Sequence, residues 1–246
     1  MVSPSAFSSA ANKTESARTQ AASSPSTLPS NLYQSPIGKK LLTGITGLGL
    51  VTFVVVHVVG NLTLFYSADA YNRLAHFIES CGPLLYLVEL LLLGMVCLHA
   101  AIGINIYLGK RQARRVEYAE YESAGAPSRQ TLSSRTMIVS GGLLGLFLIG
   151  HLATFKFGKV YTLPGSTGRD LARLVFETFH SPIYTAGYVV ILSGLGLHLR
   201  HGIWSALQSL GISTKPSVFA VSAVLGGAIT LGFIGLPLAI YFGLIG

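Results

Sequence analysis

Four of the seven histidines in this 246-residue chain, His57, His99, His151 and His198, stand inside long apolar runs. Imidazole ligates transition metals and carries protons near neutral pH, and inside a bilayer it is costly unless it finds a partner. Three chemistries suit such a set: a haem or metal ligand, a proton relay, or a hydrogen bond between helices. Spacing discriminates among them. One histidine falls in each of the first four runs and none in the fifth, each 15 or 16 residues into its run. At about 1.5 Å per residue that is roughly 23 Å past the entry face. Successive helices run in opposite directions, so His57 and His151 share one level and His99 and His198 another. In an up-down bundle these are diagonal partners that can face each other across the axis, in two tiers about 15 Å apart.

Two ligands per tier are too few for zinc, which takes about four protein ligands in structural sites and three in catalytic ones. A planar macrocycle would supply the rest, and two axial imidazoles leave the iron no open position, which favours electron transfer over oxygen chemistry. The expected ligand pairs for two haems are therefore His57 with His151 and His99 with His198. The cysteines are Cys81 and Cys97. Cys97-Leu98-His99 lacks the second cysteine of a covalent haem attachment site, so the haems would be of the b type. Gly60, Gly103 and Gly202 follow their histidines by one helical turn, on the same faces, and could thin the helices for a bulky ligand or simply allow close packing.

Haem propionates need cations near the membrane surfaces. Lys39, Lys40, Arg135 and Arg200 are candidates on one side, Lys156 and Lys159 on the other. Glu89 is the acid well inside a span, placed either for a proton route or for a packing hydrogen bond. His76 and His180 fall near span ends, where a solvated imidazole or a quinone or proton-entry role are both open. His201 lies three residues past His198 in the fourth run, and suits a propionate or structural contact better than a ligand role.

The elements that must position these groups follow from composition. Half the residues are hydrophobic, 11% are charged and the mean hydropathy is +0.58, which describes a membrane protein. Apolar runs at about 41–65, 84–108, 136–155, 182–207 and 218–245 each reach the roughly 20 residues needed to cross a bilayer. No strand-like alternation is visible, so the fold expected over 32–246 is all-α, with five transmembrane helices and a four-helix haem-binding bundle. Residues 1–31 are rich in Ser, Ala and Thr, without an apolar core or a secretory pattern, and read as a polar tail. Lys39, Lys40, Lys110, Arg111, Arg114, Arg115, Arg129, Arg135, Arg200 and Lys215 flank one face, against Arg73, Lys156, Lys159, Arg169 and Arg173 on the other. That excess predicts a cytoplasmic amino terminus and an outer carboxyl terminus, in a bacterial cytoplasmic membrane. The net charge of +8 is then a topology and anionic-lipid signal, with no nucleic-acid surface.

The stretch from Ser35, SPIGKKLLTGITGLGLVTFVVVHVVGNLTLF, resembles the first helix of the cytochrome b subunit of succinate:quinone oxidoreductases, in the single-subunit, five-helix, two-haem class. Three further blocks are similar: YNRLAHFIESCGPLLYLVELLLLGMVCLHAAIGI from Tyr71, SSRTMIVSGGLLGLFLIGHLATF from Ser133 and GLHLRHGIWSALQSLG from Gly196. The resemblance covers roughly residues 35–212. It implies that His57 and His151 hold the haem distal from the soluble subunits and His99 and His198 the proximal one. It also implies an FAD-bearing flavoprotein partner that oxidises succinate, an iron-sulfur partner that feeds the proximal haem, and a membrane quinone, commonly menaquinone, near the distal haem. Neither soluble active centre is in this chain. In a relative the quinone-binding acid lies on the first helix connection, where this chain has Asp69 and Glu79. A higher oligomer of such a complex is compatible with the sequence. Two other readings stand beside this one: a cytochrome b subunit of a hydrogenase or formate dehydrogenase, and a transporter or channel whose histidines form a relay. The relay predicts a colourless protein, and inverted or parallel repeats and broken helices, of which the sequence offers none beyond the alternation of one histidine per helix.

Overall fold

The computed structural model describes residues 35–113, 132–163, 165, 168–212 and 215–246. The polar tail at 1–31 and the basic residues Arg114, Arg115 and Arg129 lie outside the described residues.

The described residues are helical, without strands, and include five helices long and apolar enough to cross a bilayer. The first covers Pro36–Leu62, continued by a 3₁₀ turn at Thr63–Phe65; the others are Pro83–Ala113, Met137–Phe155, Pro182–Ser209 and Pro216–Tyr241. Proline opens four of the five, where its missing N–H costs nothing and its fixed φ starts the helix. At the first of them Ser35 adds a cap, its hydroxyl accepting from the Gly38 amide at 2.8 Å. A short helix, Leu132–Arg135, leads into the third span.

Two further helices are amphipathic and too short to span. Ala68–Ser80 joins the first span to the second, and Leu171–Phe179 joins the third to the fourth. Each starts on a side-chain cap: Ser67 accepts from the Ala70 amide at 3.0 Å and Asp170 from the Arg173 amide at 3.1 Å. They were not expected from the sequence, because a search for apolar runs passes over helices that are apolar on one face only. Asn72 locks them together. Its amide donates to Asp170 Oδ1 at 2.8 Å and its carbonyl accepts from the Ala172 amide at 2.9 Å, and the residue is buried. Gly82 turns the chain from the first connecting helix into the second span at φ +54°, a left-handed conformation that glycine adopts without strain.

Spans one to four pack in sequence around a square, each against its chain neighbours and the first against the fourth; among the described residues the diagonals make no substantial contact. The second and third spans touch least. The fifth span lies against the fourth and first, closest to the fourth. Small residues permit that approach: a Cβ at Gly196 would stand 2.8 Å from Thr230 Oγ1, and one at Gly226 would stand 3.2 Å from the Arg200 amide nitrogen. Opposite the fifth span, the second exposes Leu84, Leu87, Leu90, Leu91 and Leu93, as a lipid-facing helix should.

Candidate functional site

The square places the diagonal histidines face to face. On the level away from the start of the first span, the far tier, His57 and His151 have ring centroids 5.9 Å apart at an interplanar angle of 89°. On the near tier, His99 and His198 are 6.4 Å apart at 64°. Tier separation can be read from the first and third helices. Gly47 lies beside His99, since a Cβ there would stand 3.1 Å from its Cε1, and Gly141 lies beside His198 at 3.4 Å. His57 follows Gly47, and His151 follows Gly141, by ten residues, an axial rise of about 15 Å.

Ring orientation is fixed by hydroxyl groups from neighbouring helices. His99 Nδ1 is 3.3 Å from Thr46 Oγ1, His198 Nδ1 is 3.1 Å from Ser140 Oγ, and His151 Nδ1 is 3.1 Å from the Tyr188 hydroxyl. In each case Nδ1 is engaged and Nε2 is left for a ligand. His57 is held by rings instead: Phe53 stacks on it at 5.4 Å and 16°, and Phe233 of the fifth span packs at 5.6 Å. Phe147 and Phe155 flank His151 at 5.6 and 5.2 Å. The fifth span, which carries no histidine, thus helps to build the far tier. Sequence reasoning passed over Thr46, Ser140 and Tyr188, whose partners lie on other helices.

Whether a bis-imidazole haem suits these pairs can be tested on the distances. Metal–imidazole bonds of about 2.0–2.1 Å, plus about 1.1 Å from each nitrogen to its ring centre, put trans ring centres about 6.3 Å apart. The observed separations of 5.9 and 6.4 Å bracket that value. Among the described residues no three of His, Cys, Asp and Glu converge as a metal cluster, so each tier offers two imidazoles. The glycines divide. A Cβ at Gly103 or Gly202 would meet nothing within 4 Å, leaving room beside the near tier, whereas one at Gly60 would meet Leu74 Cδ2 at 3.6 Å. Gly60 is therefore a packing position against the first connecting helix.

The other candidate residues spread over both ends. Lys39 Nζ donates to Asn105 Oδ1 at 2.6 Å, tying the first span to the second, and Arg135 closes the short helix before the third. Lys156 and Glu89 form an ion pair across the gap between the third and second spans, both side chains about a third exposed, so each has a partner in the protein itself. His76 and His180 are exposed, the latter with Nδ1 2.7 Å from the Phe176 carbonyl, and neither reaches a tier. Asp69 is taken by Arg73 on the surface of the first connecting helix. Glu79 lines a far-end cleft of about 340 Å³ with Gly82, Leu85, Tyr86, Lys156 and Arg169. Arg169 also donates to the Phe155 carbonyl at 2.8 Å, completing the end of the third helix. Beneath the far tier the Tyr71 hydroxyl donates to Asn61 Oδ1 at 3.3 Å, and Asn61 donates to the His57 carbonyl at 2.8 Å. Burial pushes the Tyr71 phenol up to about 12, against the opposing pull of the Arg169 charge.

Fold and site together define an all-helical, five-span membrane protein that carries two facing pairs of histidines in its first four spans. No family model, curated protein or solved structure matches the chain.

Proposed function

We propose that this chain is the membrane anchor of a succinate:quinone oxidoreductase, a di-haem cytochrome b that passes electrons between an iron-sulfur subunit and membrane quinone. The observation that carries the reading is the meeting of imidazoles from diagonal helices in two tiers, with three of the four Nδ1 atoms engaged by hydroxyls. His57 and His151 would hold one haem b and His99 and His198 the other. A bound haem supplies one-electron oxidation and reduction.

The protein's own residues give that chemistry its direction. His57 with His151, and His99 with His198, would hold a bound haem from both sides, which favours electron transfer over oxygen chemistry. Phe53, Phe147, Phe155 and Phe233 pack around the far-tier imidazoles. Haems held at the two tiers would stand about 15 Å apart along the bundle. At the near end Lys39, Lys40, Lys110, Arg111, Arg135 and Lys215 flank the bundle, whereas the described acids Asp69, Glu79, Glu89, Asp170 and Glu177 belong to the far half. By the positive-inside rule the near end faces the cytoplasm, where a flavoprotein with FAD and an iron-sulfur protein would dock. The far-end cleft, at about 340 Å³ with Glu79, Lys156 and Arg169 as its polar groups, suits a quinone ring in size and hydrogen-bonding capacity. Menaquinone is the quinone that the family resemblance favours.

The test is a reduced-minus-oxidised spectrum with haem quantitation on the purified protein and on His57→Ala and His99→Ala. Two haems in the parent and one in each variant is the expected result. A colourless parent would remove the electron-carrier reading and leave the proton relay, for which the His151–Tyr188 contact is the available link. Co-purification of a flavoprotein and an iron-sulfur subunit with succinate dehydrogenase activity separates this assignment from a hydrogenase or formate dehydrogenase subunit.

A further inference from the structure

The two halves of the bundle repeat each other. Thr46, Gly47, Phe53 and His57 of the first span recur as Ser140, Gly141, Phe147 and His151 of the third, each 94 residues later. Pro83, His99 and Gly103 of the second span recur as Pro182, His198 and Gly202 of the fourth, each 99 residues later. Each pair of spans is joined by an amphipathic helix, and these two helices pack on one another through Asn72. The arrangement is a parallel repeat about an axis along the bundle, so repeats no longer separate the relay reading from the haem reading and the colour of the protein does.

The repeat extends to contacts between helices. Thr46 bonds His99 as Ser140 bonds His198, and Gly47 lies beside the His99 ring as Gly141 lies beside His198. Both hydroxyl residues are buried. Each hydroxyl already spends its own hydrogen within its helix, Thr46 on the Leu42 carbonyl at 2.7 Å and Ser140 on the Met137 carbonyl at 3.2 Å. With its hydrogen directed along its own helix, each oxygen is placed to accept from the imidazole. Nδ1 then carries the ring proton, and the Nε2 lone pair is left for a ligand.

We propose that Thr46 and Ser140 are a matched pair of positioning residues that fix the tautomer, ring angle and donor strength of the two near-tier imidazoles. The inference rests on the di-haem reading. A hydroxyl accepting from Nδ1–H raises the basicity of Nε2 and so favours the oxidised iron. Removing the acceptor raises the midpoint potential of the near-tier centre and leaves the far tier unmoved. The far tier does not share the device: among the described residues its hydroxyl contact is Tyr188 on His151, and the position 99 residues before Tyr188 is Glu89, which turns to Lys156 instead.

The test uses the full chain in detergent, with Thr46→Val, Ser140→Ala, the double variant, and the restoring variants Thr46→Ser and Ser140→Thr. Readouts are haem per chain, a redox titration of both centres and the low-spin electron paramagnetic resonance of each; His99→Ala identifies the near-tier signals. The expected result is an upward potential shift and a changed resonance at the near tier alone, additive in the double variant and absent from the restoring ones. If Thr46→Val sheds the near-tier haem, recovery with Thr46→Ser supports the proposal and failure to recover it counts against it. Two retained haems with unmoved near-tier potential and resonance overturn it, as does a shift confined to the far tier. A parent without haem would refute the underlying electron-carrier reading instead.

Discussion

Gly47 and Gly141 occupy equivalent places in the repeat, yet the distances give them different tolerance. An alanine Cβ at position 47 would stand 3.1 Å from His99 Cε1 and 3.5 Å from its Nδ1. Comfortable carbon–carbon contact begins at about 3.5–4.0 Å, so the ring must move by roughly 0.4–0.9 Å. A ligand constellation tolerates about 0.5 Å of displacement before it loosens, and the move also lengthens a Thr46 hydrogen bond already at 3.3 Å. At position 141 the same atom would stand 3.4 Å from His198 Cε1 and 4.0 Å from Nδ1, a displacement of roughly 0.1–0.6 Å. On the di-haem reading, Gly47→Ala should therefore lower near-tier haem occupancy or shift its potential, with Gly141→Ala the milder change. Helix propensity acts the other way, since alanine in a helix interior is favoured over glycine by about 1 kcal/mol. Loss of the haem signal without loss of thermal stability would thus be diagnostic. The assay is haem per chain with a redox titration, paired with thermal unfolding in detergent. Gly47→Ala titrating like the parent, or Gly141→Ala proving the more damaging change, would refute the reasoning.

Asn72→Ala removes both hydrogen bonds that dock the connecting helices and leaves the buried Ala172 amide unpaired, a cost of about 1–3 kcal/mol that should appear as a lower unfolding temperature and faster proteolysis of 156–181. Tyr71, with its phenol raised by burial to about 12, stabilises the fold fully below the ordinary value of 10, and that contribution is lost as pH rises from there through 12. Two units correspond to about 3 kcal/mol, so Tyr71→Phe should flatten the alkaline limb of a stability-against-pH curve; an unchanged limb would show that Tyr71 does not drive it. Glu177 is held below its ordinary 4.5 by hydrogen bonds from Tyr161 and Arg173, so the order it gives the loop before the second connecting helix is present at neutral pH and lost on acidification through that lowered value. Glu177→Gln should remove this acid dependence, as read by hydrogen exchange. Glu89→Gln leaves Lys156 unopposed and should raise the far-tier potential, Lys156→Ala should lower it, and equal signs would rule out a simple charge effect.

The five spans were legible because crossing a bilayer imposes length and apolarity together, and neither needs a partner to be read. The second span, expected over 84–108, covers Pro83–Ala113; the fifth, expected over 218–245, covers Pro216–Tyr241. Pairing of the histidines was legible for the same reason, since axial rise and alternating direction set their heights without side-chain detail. What escaped was contact between helices. Gly60 looked like a thinned ligand face from its place after His57, yet its neighbour is Leu74 of a helix that an apolar-run search cannot see. Thr46 and Ser140 look like ordinary membrane-helix hydroxyls until the neighbouring helix is placed. The 94-residue and 99-residue repeats were present in the sequence as the signal that could have singled them out.

A repeat about the bundle axis also accounts for why the tiers pair as they do. An axis between four helices relates the first span to the third and the second to the fourth, so any residue near the axis meets its own repeat across it. One histidine per span then suffices: the first and third spans supply one tier, the second and fourth the other, and a flat group with two equivalent faces suits each meeting point. The fifth span has no counterpart and, among the described spans, lies against the first and fourth, so it necessarily breaks this symmetry. Phe233 reaches His57 from that side, while the uncovered second span carries Glu89 toward Lys156. Both departures fall on the far half, and the near tier keeps matched hydroxyls on both rings. Two histidine pairs built from one repeated pattern therefore acquire unlike surroundings, and on the di-haem reading any difference in potential between them would reside in Tyr188, Glu89, Lys156 and Phe233.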